Sequence, residues 1–392
     1  LDNDADNTYY ELDGLYIDDT KVENPGSNHT YTNSVTVEAK TIALPVMRSY
    51  STYFGFDDDK WIDSTPDFHN NSIINTITEI EFVDIDEVTP QEINNITSWD
   101  VSAKQNGSVI AWLDGSKVYI GGKGGVIGNS NCRKLFNMFT NVEIIEFNDK
   151  FDTSNVKDMV QMFRKCSSLE ELDLSSFSTS KVESLYGTFY ECGLLNNINM
   201  TTWDTSNLKD TNRMFYGCHS LIELNLTNFD TSNVTYMGYM FYGCYELTEL
   251  NLTNFDTTRV VSMESMFRNC KNLKTIYVLE NFVTTNVTNS NTMFTYSTNI
   301  VGGNGTAIAD KEIYDATYAK IDKLGQEGYF TDGSIPVIRT VNNVTTTNSI
   351  SLTVDAYVPN GDEIETIEYS KDNGTNWVVQ GDSSISDNIY TF

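Results

Sequence analysis

A block of 26 residues recurs along the middle of the chain, and it constrains the fold more than any other feature. Two aromatic columns and a cysteine column keep this step. The columns are Phe151, Phe177, Trp203, Phe229 and Phe255, then Phe163, Phe189, Phe215, Phe241 and Phe267, and then Cys166, Cys192, Cys218, Cys244 and Cys270. A fixed period of this length is typical of proteins in which each repeat buries its apolar face against the next. Such a chain predicts a long binding surface rather than a closed pocket.

Each repeat divides into a turn, a helical pattern and a strand pattern. Residues 152–155 are Asp-Thr-Ser-Asn, which favour a turn and a helix N-cap. The apolar residues of 156–169 then recur at i, i+3 and i+4, which predicts a helix. Leu172 and Leu174 alternate with polar residues, as in a short strand with one buried face.

The period and the leucine spacing indicate the leucine-rich-repeat class. We therefore predict an α/β fold, a leucine-rich-repeat solenoid with a parallel sheet on one face and helices on the other, flanked by β domains. The run Met-Phe-x-x-Cys-x-x-Leu-x-x-Leu-x-Leu at 162–174, 214–226 and 240–252 resembles the BspA-like leucine-rich-repeat surface proteins of bacteria. The similarity extends over residues 55–333. It implies an extracellular, cell-surface protein that adheres to proteins or glycans of other cells or the matrix, with no enzymatic activity and no cofactor.

Patterns outside the repeats predict the domain boundaries. Residues 1–50, with alternating segments at 9–16 and 34–43, form a small β region that could end a preceding module. Residues 51–150 form an N-terminal cap with a strand in 74–82 and a hairpin turn at Asp114-Gly115. Residues 151–296 hold the repeats, and 297–333 form a C-terminal cap with a helix over 309–324 that stops at Gly325.

Residues 334–392 read as a run of strands and resemble fibronectin type III and immunoglobulin-like modules. Strands are expected near 338–341, 349–356, 364–370, 376–380 and 388–392. Because such modules need about 90–100 residues, this one is expected to be incomplete. The chain also begins at Leu1 without a leader-like segment, which is typical of a processed fragment.

Composition limits the partners. Acidic residues outnumber basic ones by 55 to 25, a net charge of −30, so nucleic acid is not an expected partner. The sequence contains no run of 18 apolar residues, so no membrane span is predicted. The cysteine column is interpreted as a ladder of buried thiols, with disulfide bridges as the alternative.

Several local motifs have two readings. Asp2, Asp4, Asp6 and Asp13 imitate a calcium loop, but a solvated acidic terminus fits the absence of the loop glycine better. The glycine-rich run at 121–125 is interpreted as a turn rather than a phosphate loop, since no Lys-Ser/Thr closes it. The three histidines, His29, His69 and His219, lie far apart in sequence and offer little material for catalysis or a metal site.

Two outward-facing strand columns form the candidate ligand surface, an acidic and amide strip. Its residues are Glu171, Asp173, Asn197, Asn199, Glu223, Asn225, Glu249, Asn251 and Tyr277. A solvated sheet face is the alternative. Asn199, Asn225 and Asn251 also belong to Asn-x-Thr sequons, and we interpret them as a ladder of side-chain amides rather than glycosylation sites.

A second candidate surface is the tyrosine column Tyr190, Tyr216 and Tyr242, since tyrosine favours protein and carbohydrate contacts. Packing between repeats would explain this column equally well. The function predicted from the sequence is adhesion through the repeat surface. The alternative is a structural subunit or spacer of a surface layer, filament or phage fibre, which would self-associate laterally.

Overall fold

The computed structural model describes the backbone of most of the chain. The described residues are 10–17, 20–21, 37–43, 45–49, 54–55, 60–61, 67–87, 97–345, 350–364, 368–369, 378–379, 384–386 and 389–391, with side chains for 45–49, 67–70, 72–87, 97–338 and 356–364. The chain divides into two units, Leu1–Leu195 and Asn196–Phe392, here called unit 1 and unit 2.

Unit 1 is built from small sheets. Its elements are β1 (Tyr10–Ile17), β2 (Thr20–Lys21), β3 (Val37–Ala43), β4 (Phe54–Gly55), β5 (Lys60–Trp61), α1 (Asn71–Ile74), β6 (Glu79–Asp84), β7 (Thr97–Asp100), β8 (Val109–Asp114), β9 (Lys117–Gly122), β10 (Val126–Ile127), β11 (Ile144–Glu146), β12 (Phe151–Asp152) and β13 (Glu171–Asp173). β1 and β3 overlap the segments 9–16 and 34–43 that the alternation predicts as strands, and they pair antiparallel.

The main sheet of unit 1 has the order β11-β6-β9-β8-β7. β8 and β9 form the predicted hairpin, and Gly115 in its turn has φ +61°, a conformation that glycine adopts without strain. β6 and β11 run parallel to their neighbours in this sheet. The glycine-rich run at 121–125 ends β9 and turns at Gly124, whose N–H donates to Asp84 Oδ1 over 2.9 Å, so the predicted turn is confirmed.

Unit 2 contains parallel strands in its repeats and antiparallel strands near its end. Its elements are β14 (Asn197–Asn199), β15 (Glu249–Asn251), β16 (Thr275–Val278), α2 (Ile308–Lys311), a 3₁₀ turn at Ala316–Tyr318, β17 (Thr331–Asp332), β18 (Val337–Thr345), β19 (Ile350–Tyr357), β20 (Glu368–Tyr369), β21 (Val378–Val379), β22 (Ser384–Ser386) and β23 (Ile389–Thr391). β15, β16 and β17 pair in parallel. β18, β19, β23 and β22 form an antiparallel sheet, in which β18, β19 and β23 lie close to strand positions expected after residue 334 and β22 does not.

The predicted α/β leucine-rich-repeat solenoid is wrong. Within the described residues only two α-helices occur, α1 and α2, and each has four residues. The strands form small separate sheets, several of them mixed or antiparallel. Neither a continuous parallel sheet nor a layer of helices exists in the described part. The helix expected over 309–324 is reduced to α2 and the 3₁₀ turn. Residues 221–226 carry no strand, although Leu224 and Leu226 repeat the strand pattern of Leu172 and Leu174.

The segment predicted as the repeat helix, 156–169, is instead a chain of turns. The N–H groups of Met162, Arg164 and Cys166 donate to carbonyls three residues earlier. The N–H groups of Gln161, Phe163 and Lys165 donate instead to carbonyls of the following repeat. The bond from Phe163 N to Thr188 O, for example, is 2.9 Å long. Bonds between repeats thus replace the i→i−4 bonds that an α-helix requires.

The apolar columns nevertheless lie where their spacing predicts. In unit 2 the rings of Phe215, Phe241, Phe267 and Phe294 stack with centroids 5.9, 5.7 and 5.5 Å apart and nearly parallel planes. All four side chains are buried. This stack forms the core of the unit 2 repeats together with buried leucine, methionine and cysteine side chains.

The cysteine column consists of buried thiols, as predicted. In unit 1 the Sγ of Cys192 donates to Phe163 O over 2.9 Å, and in unit 2 the Sγ of Cys270 donates to Phe241 O over 3.0 Å. Each thiol thus satisfies a carbonyl of the preceding repeat. Burial raises the pKa of both thiols to about 12, because the thiolate would lose its hydration.

Candidate ligand-binding surface

The strip residues of unit 2 other than Tyr277 are Asn197, Asn199, Glu223, Asn225, Glu249 and Asn251, and these six are called the strip of unit 2. In β15 the side chains of Glu249 and Asn251 lie on the outer side while Leu250 is buried, since successive side chains of a strand point to opposite faces. Glu223 and Asn225 are exposed in the same way, although their segment has no strand assignment. The outward orientation expected for these positions therefore holds in unit 2 except at Tyr277.

Five strip residues line one shallow cavity of about 380 Å³ in unit 2. They are Asn197, Glu223, Asn225, Glu249 and Asn251, and Thr227 and Tyr357 also contribute to the lining. Glu223 forms no ion pair with a described residue. Carboxylates and carboxamides at an open surface offer acceptors and donors to hydroxyl, ammonium or guanidinium groups. The cavity is thus suited to a polar or cationic ligand rather than an apolar one.

The Oδ1 of each of the three sequon asparagines accepts hydrogen bonds from the threonine two residues further on, an arrangement called the cap below. The predicted ladder of side-chain amides is therefore wrong for the described residues. The Oδ1 of Asn225 accepts from Thr227 N over 3.1 Å and from Thr227 Oγ1 over 2.7 Å. Asn199 and Thr201 repeat this arrangement, as do Asn251 and Thr253. Asparagine favours such bonds to its own chain two residues on. The threonine of each sequon therefore fixes the orientation of the asparagine side-chain amide.

Tyr277 lies on a covered part of the strip. Its side chain is only 6% exposed, and its ring centroid lies 6.5 Å from that of Tyr357 in an edge-to-face arrangement. Ala356 and Val358 on either side of Tyr357 are buried. Tyr277 consequently contributes to packing, and Tyr357, which the sequence analysis did not single out, is the aromatic ring beside the open cavity.

Glu171 and Asp173 belong to unit 1, where they line two different cavities. Glu171 lies in a cavity of about 520 Å³ with Ile144 and Leu194, two apolar side chains that are 46% and 49% exposed. Asp173 lines a cavity of about 400 Å³ together with Glu146 and Asp149. Its Oδ1 also accepts from Ser175 N over 2.9 Å. The two acidic residues of β13 therefore face different surroundings within unit 1.

The tyrosine column takes part in stacking. In unit 2 the rings of Tyr216 and Tyr242 are parallel, with centroids 4.4 Å apart. The guanidinium of Arg268 lies 5.7 Å from the centroid of Tyr242, close enough for a cation–π interaction. In unit 1 Arg164 lies 5.2 Å from the ring of Tyr190. Packing and cation–π contacts account for these rings, so we do not place the ligand site there.

The two histidines whose side chains are described, His69 and His219, both contact neighbouring groups. His69 is fully buried, with Nδ1 2.9 Å from Asp67 Oδ1 and Nε2 2.7 Å from Leu135 O, so both ring nitrogens are occupied. His219 Nδ1 lies 2.8 Å from Gly243 O. The described residues contain no group of three histidine, cysteine, aspartate or glutamate side chains placed to hold a metal.

Some candidates lie outside the described residues. His29 and the acidic residues Asp2, Asp4 and Asp6 are among them, and of Asp13 only the backbone within β1 is described. Where helices are described, none is long and apolar enough to cross a membrane.

Comparison with known proteins gives one similarity. Residues 130–224 and 187–305 match the model of a family described as "Mycoplasma protein of unknown function, DUF285". The matched stretches coincide with the repeats. No curated protein and no solved structure matches the chain significantly. The similarity thus marks the repeats and names neither an activity nor a ligand, and the resemblance to BspA-like proteins and to fibronectin type III modules stays a prediction.

Proposed function

We propose that this protein is a non-enzymatic, extracellular adhesin that attaches to a protein or glycan of another cell or of the matrix through its repeat surface. One observation carries the proposal. Carboxylates and carboxamides repeat along the outer side of unit 2 and line a single open cavity bordered by an aromatic ring, that of Tyr357.

The chemistry of this cavity favours binding over catalysis. Glu223 and Glu249 are exposed, so their carboxylates can accept hydrogen bonds from a ligand or pair with its cationic groups. An exposed pair contributes only about 0.2–1 kcal/mol, and strong attachment would need several such contacts. A repeated strip supplies them, because each repeat adds another acidic and amide position.

The test is binding of the full chain to an array of glycans and matrix proteins. The double variant Glu223→Lys/Glu249→Lys should lose binding to whichever ligand the wild type captures, since the cavity then carries two positive charges. Asp310→Lys/Glu312→Lys is the matched control, because it changes the net charge by the same amount and both residues are exposed and lie outside the cavity. Equal binding by wild type and the double variant would contradict the proposal, and so would the absence of any ligand on the array.

A further inference from the structure

The protein binds a segment of its own chain on the strip of unit 2. The Nδ2 of Asn251 donates to the main-chain oxygen of Pro359 over 2.5 Å. Thr253 Oγ1 lies 3.5 Å from the same oxygen, and Asn360 N donates to Gly333 O over 3.0 Å. The strip therefore recognises a polypeptide backbone at one of its asparagine positions.

Two further asparagines are oriented in the same way. The Oδ1 atoms of Asn199 and Asn225 accept from Thr201 and Thr227, just as that of Asn251 accepts from Thr253. With Oδ1 held toward the chain, the Nδ2 of each carboxamide is directed away from this cap. Neither Asn199 Nδ2 nor Asn225 Nδ2 donates to a described residue. These two amides are thus oriented donors at positions equivalent to the one that holds Pro359.

We propose that the strip of unit 2 binds an extended polypeptide with basic side chains, whose main-chain carbonyls accept from Asn225 and Asn199 as Pro359 O accepts from Asn251. The inference rests on the proposed function and narrows its ligand to a peptide. Basic side chains suit Glu223 and Glu249, which line the same cavity as Asn225. The acceptor at Asn251 belongs to a proline, and polyproline-type chains leave their carbonyls free of internal hydrogen bonds.

The decisive variant is Asn225→Asp. Aspartate preserves the cap, as Asp173 shows at the equivalent position of an earlier repeat by accepting from Ser175 N. The change removes the Nδ2 donor and adds a negative charge. A site that recognises only charge would then bind a basic peptide more tightly. Recognition of main-chain carbonyls requires the opposite, because a carboxylate oxygen would face the carbonyl oxygen.

The experiment measures binding of the full chain to two probes by calorimetry. One probe is an octapeptide of alternating lysine and proline, and the other is spermine, which carries positive charge without carbonyl groups. For Asn225→Asp we expect peptide affinity to fall roughly fivefold to tenfold, while spermine binding stays equal or becomes tighter. Asn291→Asp, at an exposed asparagine outside the cavity, is the matched control and should leave peptide affinity unchanged.

Each outcome decides the matter. Tighter or unchanged peptide binding by Asn225→Asp would overturn the inference. So would a wild-type protein that does not bind the peptide but binds a glycan through Glu223 and Glu249. In that second case the proposed function would stand and only the ligand class would be wrong. Failure to bind the peptide and every array ligand would overturn both.

Discussion

The Nδ2 of Asn251 donates to the main-chain oxygen of Pro359, 108 residues further along the chain. The contact fixes the segment 356–360 of unit 2 against the repeats, where Ala356 and Val358 are buried. It also places Tyr357 beside the open cavity. This side-chain amide thus helps to hold the end of β19 against the repeats, together with Thr253 Oγ1 and the edge-to-face pair Tyr277 and Tyr357.

The first prediction concerns this contact. Asn251→Asp should release the segment, because the carboxylate would lose the hydrogen bond and face the oxygen of Pro359, at a cost of about 1–3 kcal/mol. The measurement is hydrogen exchange at Asn360, whose N–H donates to Gly333 O; its exchange should accelerate. Asn225→Asp is the control, since no described residue accepts from its amide. Unchanged exchange in Asn251→Asp would show that the segment is held by other contacts.

The second prediction concerns the cysteine column. Cys166, Cys192, Cys218, Cys244 and Cys270 are fully buried. Burial raises the pKa of Cys166 and Cys244, and it raises the pKa of Cys192 and Cys270 to about 12, so the reactive thiolate is scarce at neutral pH. A thiol reagent at pH 8 should modify the native protein only slowly. After denaturation without reductant it should titrate six thiols, the five of the column and Cys132, which is also buried and free. Rapid modification in the native state would contradict the burial.

The third prediction concerns the phenylalanine stack. Phe241 lies between Phe215 and Phe267, with centroid distances of 5.9 and 5.7 Å. Phe241→Ala should lower the free energy of unfolding by about 3–5 kcal/mol, because it removes a buried ring and leaves a cavity. Tyr236→Ala is a suitable comparison, since that side chain is 49% exposed and surface changes usually stay within about 0.5 kcal/mol. Chemical denaturation measures both variants.

The apolar columns were predictable from the sequence, whereas the backbone between them was not. Turns closed by i→i−3 bonds and an α-helix both bring residues three and four apart to one side, so the spacing in 156–169 fits either structure. Glycine is a partial signal that distinguishes them, since Gln161, Lys165 and Glu191 adopt positive φ at equivalent repeat positions. Gly187, Gly217 and Gly243 occur inside the predicted helices, and all three have positive φ values, which an α-helix does not accommodate.

The candidate surface was predictable in part. Alternation around Leu250 correctly predicts that Glu249 and Asn251 lie on the outer side. The contacts of Tyr357 and Pro359 with the repeats could not be predicted. Docking of one segment on a distant repeat depends on three-dimensional packing, and no periodic sequence pattern marks it. The caps at Thr227 and Thr253 could have been predicted from the Asn-x-Thr spacing itself, since asparagine commonly bonds to the residue two positions further on.

The last prediction concerns pH and a carboxylate near the end of the repeats. Asp322 is 5% exposed, and its oxygens accept from the backbone N–H groups of Asn304, Thr306 and Gly328 and from the hydroxyl of Thr306. Burial alone would raise the pKa of Asp322, but these hydrogen bonds outweigh it and lower the pKa below the ordinary 3.8. A depressed folded-state pKa means that the carboxylate contributes stability above the unfolded-state pKa. That contribution is lost as pH falls through the folded-state pKa.

Asp322→Asn should therefore destabilise the protein at pH 7 by about 1–3 kcal/mol, because an amide group would replace acceptors that face N–H donors. The difference in unfolding free energy between variant and wild type should shrink as pH falls below about 4. Denaturant unfolding at pH 7, 5 and 3 measures it, with Asp310→Asn, at an exposed position of α2, as the control. A difference that stays constant across this range would show that the protonation of Asp322 is not linked to folding.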